Sequence, residues 1–166
     1  MILAFDTYYH QGRAKTVCLA FEHWQDAAPF AVHEQMHDGI EEYVPGEFYK
    51  RELPCILGLW KTLNYDRIEA IVIDGFVYLD DERRPGLGAH LYHTLQEAFP
   101  VIGVAKTNFA AIIHHKQPVM RGDSTRPLFI TSAGIELAMA AECIGSMHGS
   151  YRIPTLLKLL DQKTKE

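Results

Sequence analysis

With 166 residues, of which 48% are hydrophobic and 22% charged, the chain is long enough for one well-packed domain over residues 1–166 and too short for two. Its apolar runs are much shorter than the ~20 residues of a membrane helix, and no basic segment precedes the apolar N-terminus, so we expect a soluble, unsecreted, cytoplasmic protein with no membrane partner. The net charge of −5 disfavours a protein that coats nucleic acid with its whole surface, and three dispersed cysteines are typical of a reducing compartment.

The N-terminal third predicts an antiparallel meander of three strands. Met1–Asp6 is an apolar run that ends in a carboxylate, and 11–13 (QGR) can reverse the chain into a second strand over Ala14–Glu22. Pro29–Met36 has the composition of a third strand. Because the net charge is −5, we expect any contact with nucleic acid to be confined to a local part of the surface.

The segment 45–63 predicts an amphipathic helix that carries an acid on the edge of its buried face. The spacing i, i+3, i+4, i+7 is shared by the apolar residues Leu53, Ile56, Leu57 and Trp60. Glu52 precedes Ile56 by four positions, so we expect its carboxylate to point towards the sheet, where an unpaired charge is costly. A metal ion or another cation would remove that cost. Pro54 predicts a helix start or a kink, because proline lacks the backbone donor.

The run 68–75 (IEAIVIDG) predicts a central strand that ends in Asp74, with Gly75 providing a sharp exit. If this strand lies parallel to Met1–Asp6, the two carboxylates meet at the carboxyl edge of the sheet, where ligands bind in open α/β folds. An aspartate after a strand is more often a turn residue or helix cap when it stands alone. The third acid, Glu52, favours a divalent metal site.

The second half of the chain predicts alternating strands and helices. A charged loop, Asp80–Gly86, leads into a helix over Leu87–Ala98 and a short strand over Val101–Val104. Lys106 stands just past that strand, on the same sheet edge as the acids. We expect Ala110–Thr125 to be an irregular loop with a solvated His114-His115 pair.

The C-terminal part adds a strand over Leu128–Ile130 and helices over Gly134–Ser146 and Thr155–Lys163, the last of which carries Asp161. The predicted order is therefore β-β-β-α-β-α-β followed by β-α-α. We predict an α/β fold with a mixed sheet, three antiparallel strands and then parallel strands, and helices on both faces.

The order of strands and acids is similar to the ribonuclease H-like fold, and a series of motifs over nearly the whole chain resembles the endonuclease V family. The motifs are, in chain order, Tyr43-Val44-Pro45-Gly46, Arg51-Glu52-Leu53-Pro54, Asp74-Gly75, Arg83-Arg84 with 86–90 (GLGAH), 102–106 (IGVAK), and Tyr151-Arg152-Ile153-Pro154 with Asp161. Several motifs in the right order are more specific than any one of them.

The resemblance implies a magnesium-dependent DNA-repair endonuclease, with Mn²⁺ as a substitute metal, that nicks the strand 3′ of deoxyinosine. Some members of the family prefer inosine in RNA, so the partner is damaged DNA or inosine-containing RNA. By the same resemblance Asp6, Glu52 and Asp74 would hold the metal, Asp161 would be a fourth catalytic acid, and Lys106 would neutralise phosphate charge. Oxygen ligands of this kind suit Mg²⁺.

The resemblance also assigns the residues that would contact the substrate. Tyr43 and Pro45 would form a wedge that parts the strands around the lesion, where an aromatic side chain compensates for lost base stacking. Arg83 and Arg84 would contact the backbone, and His90 would lie on the substrate side. Arg152 is a further candidate for phosphate binding.

The chain departs from the family pattern at two places. Asp80-Asp81-Glu82 occupies the position of the usual His-Pro pair, and Gly134-Ile135 replaces the usual Gly-His. Three functions stay open for these reasons: an active endonuclease V, a diverged member that binds nucleic acid or a nucleotide with little or no cleavage, and a different phosphoesterase. The sequence does not choose between DNA and RNA, and nothing in it requires more than a monomer.

Overall fold

The computed structural model describes residues 1–39 and 47–166. The predicted wedge residues Tyr43 and Pro45 lie outside these described residues. The elements are, in chain order, β1 (Ile2–His10), β2 (Arg13–Phe21), β3 (Ala31–Asp38), α1 (Phe48–Trp60), β4 (Ala70–Asp74), α2 (Leu87–Thr94), β5 (Val101–Ala105), β6 (Gln117–Val119), β7 (Leu128–Ala133), α3 (Leu137–Gly145) and α4 (Thr155–Thr164).

The strands form one seven-stranded mixed sheet in the order β3-β2-β1-β4-β5-β7-β6. The N-terminal meander is antiparallel as predicted, and β1, β4 and β5 lie parallel to one another. The parallel part ends there, because β7 runs antiparallel to β5 and β6 runs antiparallel to β7. The predicted fold class is confirmed, with fewer parallel strands than expected.

Helices cover both faces of the sheet because the central strands are apolar on both sides. One buried cluster contains Leu3, Phe5 and Ile71 and packs against α1 and α2. The other contains Ala4 and Val72 and packs against α3 and α4. Alternate residues of one strand therefore face different helix pairs, as the strand period of two requires.

Two strands in the second half of the chain differ from the sequence-based prediction. The segment 110–125 was expected to be irregular, but β6 forms within it and pairs with Leu128–Ile130 of β7. Its three residues show no hydrophobic alternation and include Pro118, which a strand tolerates at a sheet edge. β7 itself continues to Ala133 because it pairs along the length of β5.

The helix boundaries also differ from the prediction. α2 ends at Thr94 rather than Ala98, because Gln96 and Glu97 have φ angles of 58° and 57° that no α-helix contains. α3 begins three residues later than expected, since Gly134 has φ of 78°. Pro54 neither starts nor ends α1: the helix begins at Phe48 and places the proline inside it, on the exposed side. In the described part of the chain, no helix is long and apolar enough to cross a membrane.

Candidate active site

Two aspartates lie side by side at the carboxyl edge of the sheet. Phe5 of β1 pairs with Ile73 of β4 in parallel register, so the next residues, Asp6 and Asp74, are neighbours. Both follow the strand alternation onto the face covered by α3 and α4. Gly75 turns the chain directly after Asp74 with φ of +119°, a conformation that favours glycine. The predicted juxtaposition of the two acids is confirmed. The prediction that the first strand ends at Asp6 is wrong, because β1 continues to His10 by pairing with β2, and only Asp74 ends its strand.

Asp6 is almost completely buried, with 8% of its surface exposed. The backbone N–H of Thr7 donates a hydrogen bond of 2.9 Å to its Oδ1 atom. Burial and the nearby Asp74 carboxylate outweigh this bond and raise the pKa of Asp6 from 3.8 to about 7. Asp74 is more exposed, and desolvation in its crowded surroundings raises its pKa as well, against the attraction of Lys106. Negative charge is therefore costly at this edge of the sheet, which we call the rim.

Glu52 reaches the same region from α1, as the helix pattern predicted. Its side chain is buried, with 2% exposed, and its Oε2 atom accepts no hydrogen bond from any residue that the structure describes. Burial, followed by repulsion from Asp6 and Asp74, raises the pKa of Glu52 well above its ordinary value. A buried carboxylate oxygen without a partner is costly unless a cation or proton compensates it.

Lys106 and Asp161 complete the surroundings of the two aspartates. Lys106 follows β5 and lines a small cavity with Asp6, Asp74 and Asp161. Asp161 lies on α4, and the Lys165 ammonium group donates a hydrogen bond of 3.0 Å to its Oδ2 atom. Elements on both faces of the sheet thus bring four acids and two cations close to one another: Asp6, Glu52, Asp74, Asp161, Lys106 and Lys165.

The donor set fits a hard divalent cation, which prefers carboxylate oxygens. The orphaned Oε2 atom of Glu52 and the raised pKa values of Asp6 and Asp74 mark the place where positive charge would be stabilising. Among the described residues, however, no three His, Cys, Asp or Glu side chains are arranged as a metal-holding group. Joint ligation by Asp6, Glu52 and Asp74 stays a prediction.

A wider cavity of about 380 Å³ opens beside the carboxylates, on the face of α1 and α2. Gly75 and Thr107, the residues after Asp74 and Lys106, form its inner wall. The other walls combine aromatic and aliphatic side chains with one cation, and they include Phe48, Tyr49, Phe76, Leu79, Arg84, Leu87 and Phe109. Such a cavity can hold a flat apolar ring beside the acidic rim.

The other predicted substrate-contacting residues occupy different places. Arg84 lines the aromatic cavity, whereas Arg83 lines a separate cavity next to α3. The ring of His90 stacks on that of Tyr49 with centroids 3.7 Å apart, behind the cavity wall. The Arg152 guanidinium group donates to the main-chain carbonyls of Lys106, Arg126 and Pro127. Phosphate binding by Arg152 stays a prediction, and the structure adds a positioning role.

Several residues of the site were not found from the sequence. The aromatic residues Tyr49, Phe76 and Phe109 come from three separate segments and fit no motif or periodicity that marks a pocket. Arg121 is buried, with 6% exposed, and its guanidinium group holds the loop before α4 through several carbonyls. A single arginine in a loop-like sequence carries no signal of this role.

Asp81, in the acidic segment Asp80-Asp81-Glu82, has a structural role. Its carboxylate accepts hydrogen bonds from the backbone N–H groups of Ile113, His114 and His115. These bonds lower the pKa of Asp81. The acid therefore fixes the loop that carries the two histidines. His114 is exposed to solvent, as predicted, whereas His115 is only half-exposed.

Comparison with solved structures gives the same fold. Endonuclease V from Bacillus subtilis matches with a TM-score of 0.76 at 22% identity, covering 99% of this chain and 78% of that chain. Human ENDOV matches with a TM-score of 0.70 at 20% identity, covering 99% of this chain and 82% of that chain. Endonuclease V from Ciona intestinalis, in complex with a 23mer DNA containing an inosine followed by a ribo-adenosine, matches with a TM-score of 0.78 at 14% identity, covering 99% and 83%.

These likenesses confirm the ribonuclease H-like fold. A search of curated proteins gave no match. The sequence profile of endonuclease V matches residues 1–143, which include Asp6, Glu52, Asp74 and Lys106 and leave out the helix that carries Asp161. Since this match spans most of the 166 residues, the chain belongs to the endonuclease V family of endonucleases.

Proposed function

We propose that the protein is a Mg²⁺-dependent repair endonuclease that nicks nucleic acid 3′ of deaminated adenine, as deoxyinosine in DNA or inosine in RNA. The observation that carries this proposal is the adjacency of Asp6 and Asp74 at the sheet rim, next to an aromatic cavity and close enough to the buried Glu52 to raise its pKa by repulsion. Mn²⁺ is expected to substitute for Mg²⁺, because both accept carboxylate ligands.

Asp6, Glu52 and Asp74 would hold the metal ion. When bound, the ion supplies Lewis-acid stabilisation of the phosphate charge and lowers the pKa of water. The protein contributes carboxyl groups whose ionised forms are costly without a nearby cation, since burial raises the pKa values of Asp6 and Glu52. Metal affinity is therefore expected to rise with pH as these carboxyl groups lose their protons.

Lys106 would bind the scissile phosphate. Its side chain is exposed and lies between the acidic cavity and open solvent, so a phosphate can reach it without displacing protein groups. The positive charge counteracts the repulsion that a phosphodiester meets at a rim with four acids. Arg152 positions Lys106 by donating to its carbonyl oxygen.

The aromatic cavity would receive the deaminated base after it leaves the stack. A flipped base is held by stacking between aromatic or apolar side chains, and Tyr49, Phe76 and Phe109 provide such surfaces. The Ciona intestinalis relative, of the same fold, was crystallised with inosine-containing DNA. Because the cavity adjoins Asp74 through Gly75, the backbone next to a base bound there would lie near the acids.

A diverged member that binds without efficient cleavage is the second candidate. One observation favours it: among the described residues no three acids are arranged to hold a metal. The segment Asp80-Asp81-Glu82 also stands where the resemblance predicts a His-Pro pair, and its Asp81 is committed to the backbone of Ile113 and His114. This candidate retains nucleic-acid binding and loses Mg²⁺-dependent turnover.

A nicking assay separates the two candidates. Single- and double-stranded oligonucleotides with one deoxyinosine, and RNA with one inosine, are incubated with the protein in Mg²⁺ or chelator. We expect one cut 3′ of the lesion in Mg²⁺ and none in chelator. Asp74→Asn is the inactive variant, and Asp66→Asn, an exposed acid before β4, is its control. Binding without any cut by the unaltered protein supports the second candidate.

A further inference from the structure

A second groove lies on the opposite side of the carboxylates from the aromatic cavity. It has a volume of about 820 Å³ and is formed by the end of β5, the loop before β7, the loop before α4 and α4 itself. Lys106 and Asp161 belong to both this groove and the acidic cavity. The rim acids therefore lie between two open sites, one on each face of the sheet.

The groove is positively charged although the chain has a net charge of −5. Four cations line it, Lys106, Arg126, Arg152 and Lys158, against two acids, Asp123 and Asp161. Neither Arg126 nor Lys158 forms an ion pair within residues 1–39 and 47–166, so both charges remain available to a ligand. A local excess of cations next to a nuclease site suits a phosphate backbone.

Tyr151 presents an aromatic ring at this groove. Its side chain is 77% exposed, the largest exposed fraction of the large hydrophobic residues described, so its ring contributes little to the core. An exposed aromatic beside cations is the combination with which proteins bind single strands: the cations follow the backbone and the ring stacks on a base.

The main chain under Tyr151 is held firmly. The buried Arg121 donates to the carbonyl oxygens of Tyr151, Met147 and Gly149. The next residue, Arg152, donates to the carbonyl of Lys106, so the loop is tied directly to the residue after β5. The backbone that carries the ring is thereby fixed relative to Lys106.

We propose that this groove binds the single strand on the 3′ side of the cut, with Tyr151 stacking on a base and Arg126 and Lys158 contacting its phosphates. The inference rests on the proposed function. If the deaminated base occupies the aromatic cavity and the scissile phosphate lies at Lys106, the strand leaves the rim on the opposite face. The groove is the cationic surface there.

The test varies the strand on the 3′ side of the lesion. Deoxyinosine oligonucleotides carry 3′ flanks of increasing length, and a second set replaces single 3′ nucleotides by abasic residues. We expect single-turnover cleavage by the unaltered protein to improve until the flank fills the groove. An abasic residue at one 3′ position should lower affinity by roughly tenfold, the size of one base-aromatic stacking contact.

Tyr151→Ala should lower affinity by a similar factor, and adding the abasic residue to this variant should then cost little more. Tyr151→Phe should keep the affinity of the unaltered protein and its loss of affinity with the abasic residue, because the phenylalanine ring can still stack. Phe30→Ala, which removes a ring that is 49% exposed at the far side of the sheet near β3, is the control and should change nothing. Additive losses from Tyr151→Ala and the abasic residue would overturn the stacking assignment.

The phosphate contacts are tested by salt dependence. Arg126→Ala and Lys158→Ala should each lower the slope of log affinity against log salt by about one, and Lys61→Ala, an exposed lysine at the end of α1, should not. Equal slopes for all variants would overturn the proposal.

The groove and the proposed function can fail separately. If the unaltered protein nicks deoxyinosine strands but Tyr151→Ala responds to flank length as the unaltered protein does, the groove assignment is wrong and the proposed function stands. If it nicks nothing, binding of a fluorescent lesion-free single strand still decides the groove. Tyr151→Ala must weaken that binding; equal binding, or no binding by the unaltered protein, overturns it.

Discussion

Asp6→Asn should make the metal-free protein more stable while abolishing cleavage. The substitution keeps the shape of the side chain and retains an Oδ1 atom that can accept the hydrogen bond from the Thr7 N–H group. It removes a buried negative charge whose neighbours include Asp74 and Asp161. A residue that we propose holds the metal would thus destabilise the protein without metal.

The magnitude follows from the pKa of Asp6, which burial and Asp74 raise from 3.8 to about 7. One pKa unit corresponds to about 1.4 kcal/mol, so ionised Asp6 lowers the free energy of unfolding by up to about 4 kcal/mol. The folded state binds the proton more tightly than the unfolded state. The stabilisation by protonated Asp6 is therefore present below pH 4 and is lost as the pH rises to 7.

Thermal unfolding in chelator measures this effect. At pH 8 we expect Asp6→Asn to raise the melting temperature by up to about 10 °C, and at pH 4 to leave it nearly unchanged. Saturating Mg²⁺ or Mn²⁺ should raise the melting temperature of the unaltered protein at pH 8 and have less effect on the variant. Asp66→Asn is the control, because its side chain is exposed. A less stable variant at pH 8, or an equal difference at both pH values, would refute the reasoning.

Three further predictions concern the site and the wedge. Asp74→Asn should lose Mg²⁺-dependent cleavage and keep its fold. Mn²⁺ soaked into crystals should bind to Asp6, Glu52 and Asp74. Full activity of the variant, or an ion bound elsewhere, would contradict the metal assignment. Lys165→Ala should tighten Mn²⁺ binding several-fold in calorimetry, because the positive charge of the ammonium group acts on Asp6 and Asp74 and would repel the ion; weaker binding would contradict this. Tyr43→Ala should weaken binding to a lesion-bearing strand about tenfold without changing thermal stability; a lower melting temperature with unaltered binding would show a core residue instead.

Short-range patterns were sufficient to predict the acidic rim. The apolar runs before Asp6 and Asp74 are central strands because their side chains pack on both faces of the sheet, and parallel strands end at the same edge. Glu52 was placed correctly by helical spacing, since i+4 neighbours share one face. The face that each of these residues occupies depends on the backbone geometry of a single element, whereas the adjacency of Asp6 and Asp74 also requires that β1 and β4 pair in parallel.

Long-range pairing could not be predicted in the same way. β6 exists because Gln117–Val119 meets the edge of β7, although its own sequence has no strand pattern. Likewise, α2 ends where the chain turns at Gln96, and β7 ends where its pairing with β5 ends. Tertiary contacts outweigh local propensity in short elements, which gain little from their own residues.

The sequence by itself determined the fold class, the apolar runs before Asp6 and Asp74, and the place of Lys106 just after β5, because these features follow from hydrophobic periodicity. The register between β1 and β4, which makes the two aspartates neighbours, is a tertiary feature. The tertiary structure alone decided that Phe76 and Phe109 share a cavity and that Tyr151 and Arg126 share a groove. These residues lie in loops, whose side chains follow no period. Their positions depend on contacts such as those of Arg121 and Arg152 with distant carbonyl oxygens, which appear only once the chain has folded.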